Sequence, residues 1–177
     1  MKKLLILAVV AISGLCASAQ NYIGGSLGVM HDITDKQTNI TIAPEIGYTY
    51  SEHWGVGLAL DYVYQEGHGK LSNWFAFNPY TRWTFAKVAD DKLSFFLDGG
   101  FSFGFTKHRG EDTGVFWNVG LKPGICYSFN EHWSVLTHFG FLGYQGANGV
   151  GESYGYHKKW GFDFSSMNVN LGVYYTF

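Results

Sequence analysis

Met167-Asn168-Val169-Asn170-Leu171-Gly172-Val173-Tyr174-Tyr175-Thr176-Phe177 alternates without a break. Met167, Val169, Leu171, Val173, Tyr175 and Phe177 share one parity. Asn168, Asn170, Gly172, Tyr174 and Thr176 share the other. Period-two alternation marks a strand whose two faces meet different surroundings. About ten tilted residues is also the length of a β-strand that crosses a bilayer.

Working outward, the chain repeats itself. Pro44-Glu45-Ile46-Gly47-Tyr48-Thr49-Tyr50-Ser51-Glu52-His53-Trp54-Gly55-Val56 matches Pro123-Gly124-Ile125-Cys126-Tyr127-Ser128-Phe129-Asn130-Glu131-His132-Trp133-Ser134-Val135. A looser copy begins at Pro79, with Thr81, Trp83 and Phe85 on one parity. Each copy reads as strand, polar turn and returning strand, a β-hairpin. These are the only three prolines of the chain. Each costs a ladder hydrogen bond, which predicts a bulge at each.

The hairpins extend to eight predicted strands, near 21–30, 39–50, 54–65, 74–85, 92–105, 115–129, 133–145 and 162–177. Three connections are short, at Ser51–His53, Ala86–Asp91 and Asn130–His132. Four are long and rich in glycine and charge, at His31–Thr38, Gln65–Asn73, Thr106–Gly114 and Gly146–Gly161. Short turns at one end and long loops at the other is the layout of a membrane barrel with periplasmic turns. An even strand count puts both termini on the periplasmic side.

The start reads as an export signal over residues 1–19, leaving a barrel domain over 20–177. Lys2 and Lys3 precede an apolar run from Leu4 to Ile12, and Ala17-Ser18-Ala19 supplies the cleavage site. Cys16 raises a lipoprotein alternative, but Leu15 stands where lipid attachment wants a small side chain. Cleavage leaves Cys126 as the one cysteine, so no internal disulfide can form. It also moves the formal charge from −2 to −4, by loss of the two lysines. There is no basic patch, which argues against nucleic acid as a partner.

Alternation alone does not say which face meets lipid; the sizes of the side chains do. One parity carries Val56, Leu58, Leu60, Tyr62, Phe75, Phe77, Leu97, Phe101, Phe103, Phe105, Trp117 and Val119. An eight-stranded barrel is only just wide enough inside for side chains, and that many large groups exceed it. The other parity holds Gly28, Gly55, Gly57, Ala59, Gly100, Ser102, Gly104, Gly120, Gly124, Gly140 and Gly172, which suits a crowded lumen. Aromatics also gather near the short turns: Tyr48, Tyr50, Trp54, Trp83, Phe85, Tyr127, Phe129 and Trp133, with Tyr175 and Phe177. Such rings form the girdle of a membrane barrel at headgroup level.

On these residues the chain resembles the small outer-membrane β-barrels, the OmpX and OmpA-barrel type, over its whole length after the signal. The resemblance implies that Leu171, Val173, Tyr175 and Phe177 form a C-terminal assembly signal read by the barrel-assembly machinery. It implies outer-membrane lipid and lipopolysaccharide as surroundings, and a monomer. It does not select among adhesion proteins, anchors, narrow channels and lipid-A-modifying enzymes, because function is not set by fold.

The strand charges lie on the lumen parity: Glu45, Asp61, Arg82, Asp98 and Lys122, with His138 beside them. Each lies about six to ten residues from a short turn, a layer roughly 15–23 Å up a tilted strand. The expectation is a salt-bridged plug across the lumen; a narrow polar channel is the alternative. Loop histidines His31, His68, His108 and His157 have no shared spacing, so no metal site and no cofactor are expected. A lipid-A deacylase would want a His-x-Ser pair, which the chain lacks; an enzyme is not expected. Cys126 reads as a small inert lumen residue. The expected role is structural or interactive, carried by the long loops. Tyr154, Tyr156, His157, Lys158, Lys159 and Trp160 combine rings and positive charge suited to an extracellular ligand of unknown identity.

Overall fold

The computed structural model describes residues 20–32, 37–67, 70–108, 112–153, 157–164 and 169–177. The expected export signal, His68 and the loop residues Tyr154 and Tyr156 lie outside these. The strands are β1 (Gln20–Asp32), β2 (Gln37–Thr49), β3 (Trp54–Gly67), β4 (Lys70–Val88), β5 (Leu93–His108), β6 (Gly114–Ser128), β7 (Trp133–Phe139), β8 (Phe141–Ala147), β9 (Lys159–Asp163) and β10 (Val169–Thr176). A single helical turn, α1 (Gly149–Ser153), follows β8. Among the described residues no helix is long and apolar enough to cross a membrane.

From β1 to β7, neighbours in sequence are neighbours in the sheet and run antiparallel. β7 and β8 together form one wall strand, since both pair with β6, while β9 pairs β8 and β10 pairs β7. β1 pairs with β10 from Tyr22↔Thr176 to Gly25↔Val173, which closes the ring. The result is an eight-stranded, closed, up-and-down barrel. Above Gly25 the side of β1 away from β2, and the side of β9 away from β8, have no ladder partner among the described residues.

The two faces divide by size. Ile23, Ile46, Val56, Phe75, Phe77, Phe101, Phe103, Val119 and Val173 point outward and are exposed. Ala43, Ala76, Phe96, Phe116, Leu136 and Tyr174 are buried within.

Three features depart from the expected outline. The seventh strand breaks at Gly140 instead of running unbroken from 133 to 145. The segment read as loop Gly146–Gly161 contains α1 and the start of β9, so Lys159 and Trp160 stand on a strand. β4 runs through Ala86 to Val88, and the turn follows at Ala89, Asp90 and Asp91, all at positive φ (56°, 55° and 63°).

The expected bulges are corrected to one. Each proline does interrupt its ladder to the next strand, because it has no N–H to give. At Pro44 and at Pro79, however, pairing lapses and resumes in the same register, with no extra residue. Of the three prolines, only Pro123 stands opposite a register shift: Gly124 faces His138 while Leu121 faces Leu142, so β6 advances three residues against four. The extra residue falls beside Gly140, whose φ of 107° excludes most side chains. A separate bulge lies between Thr84 and Ala86 of β4.

Candidate functional site in the lumen

Large rings enter the lumen by lying over glycines directly across from them. Tyr22 pairs with Gly47, Tyr80 with Gly57, Phe96 with Gly124, Phe116 with Gly104, and Tyr174 with Gly24. In all five, a methyl group on the glycine would overlap the ring of its partner. The interior therefore accepts more aromatic bulk than strand counting allows, a correction to the expectation of small lumen residues alone.

Four of the six candidate charges are linked. Arg82 donates twice to Asp98, Nε to Oδ1 and Nη2 to Oδ2, both at 2.8 Å. Its Nη2 also stands 3.5 Å from Glu45 Oε1. His138 Nε2 lies 2.8 Å from Asp98 Oδ2. The bidentate fork suits a planar guanidinium and a carboxylate, and lysine could not reproduce it. Register delivers this pairing, since Arg82, Asp98 and Lys122 stand opposite one another on β4, β5 and β6.

Three tyrosines complete the network. Tyr174 donates to Glu45 Oε2 at 2.7 Å, Tyr80 donates to Glu45 Oε1, and Tyr22 bonds to Tyr80 through their hydroxyls. Arg82 also sits over the Phe96 ring, with Cζ 4.3 Å from its centroid. Beneath the polar groups Phe96, Leu136 and Tyr174 form an apolar cluster, with Tyr22 and Cys126 packed against it. A buried charge is tolerable only when paired and hydrogen-bonded. Glu45 and Asp98, both buried, meet that condition.

Asp61 and Lys122 stand apart from this network. Asp61 is hydrogen-bonded to Asn78, and Lys122 is the cation acting on it most strongly. Both line a cavity of about 670 Å³ whose other walls include Asn118, Gln145, Trp74, Lys159 and Asp163. Glu45, Tyr80, Asp98, His138 and Tyr174 also border it. Trp74 and Phe116 stack with centroids 5.0 Å apart and planes 2° apart, next to Ala76 and Ala147.

The ring-bearing residues near the short turns touch in series. Trp54 stacks on Trp83, Trp83 meets Phe85, Tyr127 meets Phe129, and Tyr175 contacts both Trp133 and Phe177. At the opposite end Lys158 Nζ lies 3.3 Å from Glu152 Oε1, and Trp160 projects outward with 85% of its surface exposed. No metal-binding group of histidine, cysteine and carboxylates occurs among the described residues.

Tyr22, Tyr80, Tyr174 and Phe96 are the site residues that sequence reading missed. Their signal was an aromatic on the small-residue parity facing a glycine, visible only once the register is known.

No protein-family model matches the chain, and no curated protein matches it. Solved structures do. The outer membrane protein OprG from Pseudomonas aeruginosa is 16% identical with a TM-score of 0.50, over 94% of this chain and 99% of that one. Neisserial surface protein A is 11% identical with a TM-score of 0.47, over 89% and 92%. The chain has the fold of the small eight-stranded outer-membrane β-barrels.

Proposed function

We propose that this is an integral outer-membrane protein whose lumen does not conduct, and whose role is structural or carried by its outer loops. The linked network of Glu45, Tyr80, Tyr174, Arg82, Asp98 and His138, backed by the Phe96–Leu136 cluster, is the observation that supports closure. Water or ions passing through would have to break the bidentate Arg82–Asp98 pair and then cross an apolar layer. The outward belt of exposed apolar side chains supports residence in lipid.

In this reading the short turns and both termini face the periplasm. Residues 1–19 direct export, and the aromatic chain from Trp54 to Phe177 lies at the inner headgroup level. Leu171, Val173, Tyr175 and Phe177 serve assembly, so Phe177→Ser should be exported yet missing from the outer-membrane fraction. Normal recovery there would remove that part of the reading. His157, Lys158 and Trp160 stand exposed at the opposite end, where a surface ligand would meet them, while Lys159 turns to the lumen cavity.

The deciding experiment is single-channel recording on the purified, refolded protein in a planar bilayer. No steady ionic current is expected. A steady open level would make the protein a narrow channel instead, a second reading favoured by the 670 Å³ cavity above the network.

A further inference from the structure

The cavity wall carries a pattern that closure of the lumen does not require. Ser102 pairs with Asn118, Asn118 with Gln145, and Gln145 with Lys159. Asn78 extends the row, level with Ser102 between the pairs Phe77↔Phe103 and Tyr80↔Gly100. Of these, Asn78, Asn118, Gln145 and Lys159 line the cavity, three amides and an ammonium, while Ser102 is buried in the wall between Asn78 and Asn118. Neighbouring strands lie about 4.8 Å apart, so Asn118, Gln145 and Lys159 offer a hydrogen-bonding group at successive steps.

The next row is bare. Gly100 pairs with Gly120, Gly120 with Gly143, and Gly143 with Gly161. Only the Phe141 ring leans over it, against Gly120 and Gly143. A methyl at Gly100, Gly120 or Gly143 would strike Tyr80, Phe141 or the facing backbone, and only beside Gly161 is the space open. Such a row is costly in a strand unless something else approaches closely.

The chemistry of the wall narrows the occupant. Asp61 and Asp163 stand against Lys122 and Lys159 on the upper wall, while Glu45 and Asp98 at the floor are held by Arg82 and His138, so neither sign dominates beside the amides. Among the described residues, Asn118 and Gln145 make no side-chain hydrogen bond within the protein, and each amide both donates and accepts. A hydroxyl is the partner that also does both. Trp74, held flat against Phe116, supplies an aromatic face to the same space. The volume lies within the roughly 300–1,000 Å³ of small-molecule sites.

We propose that the long-loop half of the lumen binds an uncharged, hydroxyl-rich ligand, a short oligosaccharide lying along Asn78, Asn118, Gln145 and Lys159. The binding does not depend on whether the layer beneath conducts, so bilayer recording and a binding test fail independently.

The test is a titration of the refolded protein in an amine-oxide detergent, which carries no sugar headgroup, followed by the NMR signals of the side-chain amides. Maltotriose should shift the Asn118 and Gln145 signals saturably, while glycine and citrate should not. Replacing both residues with alanine removes two hydrogen-bonding groups and should weaken maltotriose binding about tenfold, with an unchanged denaturation midpoint. Lys87→Ala, at the short-turn end, should bind as the wild type. Saturable shifts with glycine or citrate but not maltotriose would overturn the proposal in favour of a charged ligand. Shifts that never saturate with any of the three, or maltotriose affinity indifferent to the double replacement, would overturn it outright.

Discussion

Two halves of one lumen, built by the same strands, are filled in opposite ways. Toward the short turns, rings sit over glycines, a guanidinium grips two carboxylates, and Phe96 retains 1% of its surface. Toward the long loops, the same strands place glycines in a row and leave the Asn118 and Gln145 amides without a side-chain partner among the described residues, around 670 Å³ of space. The strand number sets the barrel's width for both halves. What differs is the residue opposite the lumen glycines: mostly a ring in the lower half, mostly another glycine in the upper, where Phe116 over Gly104 is an exception.

The largest contrast should appear in accessibility. Cys126 packs against Phe96 and Leu136 beneath the network. A polar thiol reagent offered from the long-loop side should leave it unmodified in the folded protein, while a cysteine placed at Asn118 reacts freely. Equal reaction at both positions would mean that the lower half is as open as the upper.

Stability should follow the same division. Arg82→Leu leaves Asp98 and Glu45 buried without their cation, a loss of about 3–5 kcal/mol. Arg82→Leu combined with Asp98→Leu should recover part of it. Denaturant midpoints in lipid or detergent measure both, and an unchanged midpoint for Arg82→Leu would show that the group is solvated.

Smaller still is the cost of one methyl group. Gly47→Ala drives a carbon into the Tyr22 ring and should cost roughly 1–3 kcal/mol. Gly28→Ala on the same barrel meets only Thr41 at 3.6 Å and should stay within about 0.5 kcal/mol. At the end of the series, Lys158→Leu breaks an exposed ion pair and should cost under about 1 kcal/mol. If Gly28→Ala and Gly47→Ala cost the same, the two halves are not packed differently.

The fold was legible because alternation, hairpin repeats and loop lengths are local signals. Pro44, Trp54, Tyr127 and Phe177 could be assigned faces by counting alone. The site was legible in part: Glu45, Arg82, Asp98 and His138 declared themselves as charges on a small-residue parity. Tyr22, Tyr80, Phe96 and Tyr174 did not, because a ring among small residues looks like an exception until its partner across the strand is known. The split of Asp61 and Lys122 from the network depends on Arg82 taking Asp98, a choice that side-chain reach makes and sequence does not show. β9 was hidden because Lys159-Trp160-Gly161-Phe162-Asp163 begins inside a glycine-rich, charged stretch. The extra residue at Gly140 was misplaced because a missing N–H can be accommodated by a skipped pair as readily as by a bulge.

The rings over glycines have a consequence for how the strands find one another. A pattern of period two resists a slip of one residue but is indifferent to a slip of two, which returns every side chain to its own side. The ring and glycine pairs remove that ambiguity. Shifted by two, Phe96 would meet Lys122 or Cys126, Tyr22 would meet Glu45 or Thr49, and Phe116 would meet Ser102 or Thr106. Tyr174 would meet Tyr22 or Ser26. Each neighbour can therefore be read as a vernier against the next, aligned at the one position where a ring finds its berth. The same glycines that make room for the rings act as a proof-reading code for the four ladders that hold them.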